Sequence, residues 1–122
     1  MSVIDNVNTL LHTITPLTII TPEAPRMANV DDLPYVEIQN IVSSHGQYTL
    51  DGGKVLDIER IQLTMAASSY AALGILVSQV RALLDNNHTN FILSLPMGRD
   101  TGGNNSDPEL YWCAYDWLIL HN

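Results

Sequence analysis

The N-terminal segment has apolar residues spaced with the period of an α-helix. In "VIDNVNTLLHTI", residues 3–14, the apolar positions are 3, 7, 10, 11 and 14, and Ser2 is a possible N-cap. Pro16 ends this predicted helix because proline cannot donate the next backbone hydrogen bond. Residues 21–34 contain three prolines and two aspartates, which predicts an extended, exposed connector.

A period of two replaces the helical period in the next segment. Residues 35–42, "YVEIQNIV", predict one strand, and residues 55 to about 66 predict a second. Glycine supplies the positive φ that a tight reversal requires, so Asp51-Gly52-Gly53 predicts a hairpin tip between them. One face of the first strand is predicted to consist of Val36, Ile38 and Val42.

The apolar phase slips within the second predicted strand. Leu56 and Ile58 occupy even positions, whereas the apolar residues from Ile61 onwards occupy odd positions. One extra residue in a ladder reverses the two faces of a strand. The sequence therefore predicts a β-bulge near Glu59 and Arg60.

A second amphipathic helix is predicted to follow this strand almost directly. Ser68 or Ser69 is the expected N-cap, and the helix extends to about Leu84, before "DNNHT". Its apolar stripe consists of Tyr70, Leu73, Leu76, Val77, Val80, Leu83 and Leu84.

The C-terminal third predicts two strands with a polar segment between them. "FILSLP", residues 91–96, reads as a short strand, and residues 98–109, "GRDTGGNNSDPE", as a long flexible loop. The final strand, residues 110–121, is rich in aromatic residues. Strict alternation places Trp112 and Trp117 on opposite faces of it, and both faces are largely apolar.

The order of these elements is helix, β-hairpin, helix, strand, strand. Short connections between successive strands favour antiparallel pairing, and helices cover one face of such a sheet. We therefore expect an α+β fold with a mainly antiparallel sheet of about four to five strands and two helices packed on one face. The length of 122 residues predicts a single domain, residues 1–122.

Composition narrows the classes of partner. Five basic residues against thirteen acidic ones give a net charge of −8, which argues against a protein that binds nucleic acid by neutralising phosphates. A carboxylate-rich surface repels phosphate and would let DNA pass without sticking. No signal peptide and no membrane-spanning segment are predicted, so we expect no membrane partner.

The polar residues show no arrangement typical of catalysis or of cofactor binding. The four histidines lack the spacing of a helical metal site, and "DTGGNNSDPE" fails the EF-hand pattern at Gly102. "DGGK" bridges two strands, whereas a P-loop leads into a helix. Cys113 is expected to be a buried apolar residue within a strand. We expect a protein that is not an enzyme and has no cofactor and no metal.

Tyrosine and tryptophan are enriched where proteins meet, and polar glycine-rich segments at loop tips often carry contacts. The alternative for the aromatic residues is a tightly filled core. The residues predicted to form interfaces are Asp51, Gly52, Gly53, Lys54, Arg99, Asp100, Asn104, Asn105, Trp112 and Trp117.

The order of the chain as a whole resembles the tail-completion, or tail-terminator, proteins of long-tailed bacteriophages. The resemblance spans residues 7–120 and is strongest in "LPYVEIQ", residues 33–39, and in the strand-to-helix unit of residues 58–85. These motifs belong to the fold and are not catalytic. The residues that match the pattern of the family are Arg60, Gln62, Ala71, Leu73, Val80, Arg81, Leu84 and Asp85.

The resemblance implies a structural virion protein of the tail or neck, assembled in the host bacterial cytoplasm. Such proteins form a ring, usually of six copies, at the head-proximal end of the tail tube. The ring would contact the tail tube protein and the head–tail connector or head-closure protein, and DNA would pass through it without specific binding. Two alternatives stay open, namely another neck protein such as a head-closure ring, and a small α+β ligand-binding protein or enzyme.

Overall fold

Two helices and five strands make up the described part of the chain. The computed structural model describes residues 3–22, 32–49, 55–89, 91, 93–106 and 109–121. In chain order the elements are α1 (Val3–Leu11), β1 (Thr18–Ile20), β2 (Tyr35–Thr49), β3 (Val55–Ala67), α2 (Tyr70–Leu84), β4 (Leu93–Ser106) and β5 (Glu109–His121).

The five strands form one sheet in the order β1-β2-β3-β5-β4. All neighbouring strands are antiparallel except β1 and β2, which are parallel. The two central strands, β3 and β5, pair without interruption from Asp57–His121 to Ala67–Tyr111. Both helices pack into one core on a single face of this sheet. The predicted α+β fold is confirmed.

Alternate residues of the central strands build the core. Ile61, Leu63 and Met65 of β3 are fully buried, and they lie opposite odd-numbered residues of β5 that include Cys113 and Trp117. Cys113 is buried within a strand, as predicted. The helices contribute their buried stripes to the same core, namely Val3, Val7 and Leu11 from α1 and Leu73, Leu76, Val80 and Leu84 from α2.

The N-terminus of α2 is capped as the sequence predicts. Ser69 has an extended backbone, and its Oγ accepts a hydrogen bond from the backbone N–H of Ala72 at 3.1 Å, which satisfies one donor of the first turn. Tyr70 differs from its predicted place in the apolar stripe. Its side chain is 74% exposed, because it occupies the first residue of the helix, beyond the packed turns.

The hairpin of β2 and β3 is confirmed by the pairing of Thr49 with Val55. The predicted tip, Asp51-Gly52-Gly53, lies outside the described residues.

The predicted bulge at Glu59 and Arg60 was wrong in its strand. The register shifts lie in β2, between Asn40 and Val42 and between Val42 and Gly46, whereas β3 alternates without interruption against β5. Ile58, an even position near the start of β3, belongs to the face without helices, so no phase change is needed there. The side chain of Val42 is outside the described part of the structure.

The prediction of a flexible loop over residues 98–109 was wrong. The strand β4 continues to Ser106, and its polar end pairs with β5, for example at Asn105–Leu110. Ladder hydrogen bonds join backbone groups and do not depend on the side chain. The neighbouring strand β5 is rich in strand-favouring aromatic and aliphatic residues, and pairing with it outweighs the weak intrinsic preference of a glycine-rich segment.

Two smaller differences concern the N-terminal third. The helix α1 ends at Leu11 rather than at Ile14, and Ile14 instead donates a turn hydrogen bond to the Leu11 carbonyl at 3.0 Å. The strand β1 was not predicted, because three residues are too few to show an alternation. Residues 23–31 of the predicted connector lie outside the described residues. Neither described helix is long and apolar enough to span a membrane.

Two glycines test how backbone conformation alone affects stability, because an added side chain would have room at both positions. A Cβ added at Gly74, within α2, or at Gly98, where φ is 93°, would meet no atom within 4 Å. We expect Gly74→Ala to raise the free energy of unfolding by about 0.5–1 kcal/mol, because alanine loses less backbone entropy in a helix. Gly98→Ala should lower it by about 1 kcal/mol, because an L-residue is strained at that φ. Denaturant unfolding of both variants tests this, and equal signs would contradict it.

Candidate interaction surfaces

The face of the sheet without helices carries an apolar patch at one end. Cross-strand neighbours on β3, β5 and β4 form rungs, and the first rung joins Ile58, Leu120 and Leu93. In the next rung, Leu118 and Leu95 lie beside an arginine of β3. All five aliphatic side chains are half-buried, although no described helix covers them. We call this set, Ile58, Leu93, Leu95, Leu118 and Leu120, the aliphatic patch.

A partly buried ion pair occupies the middle of the same face. Arg60 Nε donates to Asp116 Oδ2 at 3.0 Å, and Arg60 Nη2 donates to the same oxygen. Asp116 is 2% exposed, and the side chain of Arg60 is 37% exposed. Asp116 Oδ1 is buried and has no hydrogen-bond partner among the described residues. The arginine therefore compensates the charge of a carboxylate that is buried within the sheet.

The two predicted interface tryptophans have different surroundings. Trp112 is half-buried on the helix-free face beside Gly103, and a Cβ added to that glycine would lie 3.3 Å from the indole nitrogen. Glycine thus leaves room for the ring to lie against the neighbouring strand. Trp117 is fully buried in the helix-covered core, where Nε1 donates to Asp85 Oδ1 at 2.8 Å. In the isolated chain its ring is not available to a partner.

Two shallow apolar clefts flank α2. One, of about 150 Å³, lies between α2 and β5. The other, of about 250 Å³, lies between α2 and the chain around Pro16 and Pro34. No charged side chain lines either cleft among the described residues. The exposed Tyr70 and Ile75 stand at their borders, so both clefts suit apolar contact better than the binding of a charged ligand.

The described titratable residues do not converge on a metal site. Within the described ranges, no group of three or more His, Cys, Asp or Glu side chains is placed to hold a metal ion. The one histidine–carboxylate contact among them joins His121 Nε2 to Glu59 Oε2 at 3.4 Å, near one end of the central strands.

Eight of the ten predicted interface residues have side chains outside the described part of the structure. Arg99, Asp100, Asn104 and Asn105 belong to β4, and their side chains are outside the described part of the structure. Asp51, Gly52, Gly53 and Lys54 are also outside it. The prediction that these residues form contacts therefore remains a prediction.

The aliphatic patch was not among the predicted interface residues. Its signal was nevertheless present in the sequence, because strict alternation in β5 places Leu118 and Leu120 on the second apolar face of that strand. What was missing was the lateral order of the strands. Only the register of β3, β5 and β4 brings Ile58, Leu93 and Leu95 beside these two leucines.

Comparison with known protein families and with curated proteins finds no match. Among solved structures, the chain is similar to a chain of the "Virion of native gene transfer agent (GTA) particle", with a TM-score of 0.67 and 8% sequence identity. The match covers 98% of this chain and 93% of that chain. The two chains therefore share a fold over nearly their whole lengths.

The Arg60–Asp116 pair should respond unequally to removal of its two partners. Arg60→Ala leaves a buried carboxylate without its cation, and we expect a loss of about 3 kcal/mol in the free energy of unfolding. Asp116→Ala leaves an arginine that can reach solvent, and a loss of about 1 kcal/mol is expected. The double variant Arg60→Met/Asp116→Leu should lie within about 1 kcal/mol of the wild type. Denaturant unfolding tests the order, which a costlier Asp116→Ala would contradict.

The environment of Tyr35, at the start of β2, should lower the free energy of unfolding at alkaline pH. Burial, and then the negative charges of Glu37 and Asp32, raise the pKa of the Tyr35 phenol above its ordinary value of 10.0. Below pH 10 the phenol is protonated in both the folded and the unfolded chain, and this contribution to stability is complete. As the pH rises above 10 the unfolded chain loses the proton first, so stability falls until the folded pKa is passed.

We therefore expect Tyr35→Phe to lose less stability than the wild type between about pH 9 and 11. Thermal unfolding across this range measures the difference. Tyr70→Phe is the matched control, because the Tyr70 side chain is 74% exposed, and it should follow the wild type. Identical curves for Tyr35→Phe and the wild type would refute the assignment.

Proposed function

We propose that this chain is a structural virion protein that forms a ring at the head-proximal end of a tail tube. The ring ends tube growth and offers the surface on which the head connector docks. It has no catalytic activity. Its partners are further copies of itself, usually six in all, together with the tail tube protein and the head–tail connector or head-closure protein.

The observation that carries this proposal is the fold shared with a chain of the gene transfer agent virion. That likeness extends over 98% of this chain and 93% of that one, so it concerns the whole architecture and not one supersecondary motif. The resemblance of the strand-to-helix unit to tail-terminator proteins supports the same class of protein independently of the structure.

The surfaces are consistent with a component that works by contact. The aliphatic patch and the two clefts beside α2 present apolar groups, which suits contact with protein. The net charge of −8 disfavours tight binding to phosphates, which suits a ring that DNA passes through.

Two alternatives lead to different observations. A head-closure ring would occupy the next position towards the head, so its removal would leave tails of normal length that fail to join heads. A small ligand-binding protein would use a cleft, and the cleft of about 250 Å³ is the larger of the two apolar clefts beside α2. It would behave as a monomer or dimer with no place in the particle, whereas a virion ring copurifies with it.

Negative-stain electron microscopy of particles made with and without this protein tests the proposal. We expect tails of uniform length in its presence and overlong or headless tubes in its absence. Restoring the wild-type chain from a plasmid should restore uniform tails, which controls for effects on neighbouring genes. Normal, head-joined tails in its absence would contradict the proposal, and normal-length headless tails would favour the head-closure ring.

A further inference from the structure

We propose that neighbouring copies of this chain join sheet to sheet, with the outer edge of β4 in one copy pairing antiparallel to the outer edge of β2 in the next. The inference rests on the proposed ring and names the contact that closes it. Its basis is two long strand edges that have no partner strand among the described residues.

The first open edge belongs to β4. This strand lies at the border of the sheet and pairs with β5 on one side. On its other side the backbone hydrogen bonds among the described residues are those of Ser94, which donates to the Asn87 carbonyl at 2.9 Å and accepts from the Asn86 N–H at 2.8 Å. Residues 95–106 have no partner strand on that side among the described residues.

The second open edge belongs to β2, at the opposite side of the sheet. The short strand β1 covers β2 only at its start, where Ile20 lies beside Glu37. From residue 38 to residue 49 no described strand pairs with the outer side of β2. Long exposed edges are normally avoided, because each offers a row of unpaired N–H and C=O groups to another chain.

The directions of these two strands suit each other. β2 is antiparallel to β3, β3 to β5, and β5 to β4, so β4 and β2 have opposite directions within one chain. Rotation about an axis that is only moderately tilted from the strands keeps the up or down sense of every strand. The β4 of one copy would therefore meet the β2 of the next as an antiparallel pair, and repetition of this head-to-tail contact closes a ring.

The covered ends of the two edges predict a stagger between copies. β1 blocks β2 at the end level with Ala66 and Trp112, whereas Ser94 is blocked at the other end, level with Glu59 and Ile119. Without displacement the two open stretches overlap only around the level of Arg60 to Leu63, and a neighbour displaced along the strands brings more of them together. Closed β-barrels require such a stagger, because their strands tilt against the axis.

Alternation of the ladder identifies the groups that would take part. Ser94 lies opposite Ile119 and directs its N–H and C=O away from β5. Because the ladder alternates, the other residues of β4 that lie opposite odd-numbered residues of β5 also direct their N–H and C=O outward. Pro96 is the next of these and has no N–H to offer, which suits an edge position and limits pairing there. Further along, Gly102 lies opposite Cys113 and directs its N–H outward. By the same reasoning Gln47 directs its N–H outward from β2.

Amide hydrogen exchange of the wild-type protein, alone and as rings on purified tails, tests the pairing. We expect the outward amides of β4 and β2 to exchange at least tenfold more slowly in the ring. Rings with unchanged exchange at both edges would overturn the sheet-to-sheet contact and leave the ring itself standing. Tails that carry no ring would overturn both the contact and the proposed function.

Proline variants test the same contact through assembly. Gly102→Pro and Gln47→Pro remove one outward N–H each, and Gly102→Ala and Gln47→Ala are matched controls that keep it. We expect each proline variant to raise the concentration needed for half-maximal ring formation about tenfold over its alanine control. Circular dichroism verifies that the monomers fold. Equal assembly of folded proline and alanine variants would refute the pairing.

Discussion

The indole N–H of Trp117 donates to Asp85 Oδ1 at 2.8 Å, and this contact joins the central strand β5 to the end of α2. Asp85 also accepts from Arg81 Nε at 2.8 Å, and its own N–H caps the helix by donating to the Arg81 carbonyl. The Arg81 guanidinium in turn lies 5.8 Å from the centre of the Tyr115 ring. The largest buried side chain of the protein is therefore held at the point where the chain leaves the helix for β4. The position of β4 at the border of the sheet, and the edge it exposes, depend on this junction.

The two faces of the sheet are covered in different ways. The helix-covered face is filled by aliphatic and aromatic side chains, with both helices supplying the second layer. The other face has no second layer among the described residues, and it buries its small and charged residues beneath larger neighbours on adjacent strands. Arg60 covers Asp116, and Trp112 lies against Gly103. Such a face keeps its charged and small residues covered while its aliphatic patch stays half-buried.

The strand-to-helix unit of β3 and α2 illustrates how local and distant constraints combine. Its boundaries follow from neighbouring residues alone, since the alternation ends at the serine pair and Ser69 caps the helix. The bulge was predicted in the wrong strand, because the phase of apolar residues along one strand does not reveal which of two paired strands holds the extra residue. The same limit explains β4, whose polar end becomes a strand only because β5 lies beside it.

The sequence by itself determined the class of the fold, the hairpin of β2 and β3, the capped helix α2, the burial of Cys113 and the alternation of β5, because each depends on residues close together in the chain. The tertiary structure decided the lateral order of the strands, the extent of β4, the burial of Trp117 and the composition of the aliphatic patch. These depend on the register between strands that lie up to about sixty residues apart, as in the Arg60–Asp116 pair. Such contacts form only when the whole sheet assembles, and no local pattern of apolar and polar residues encodes them.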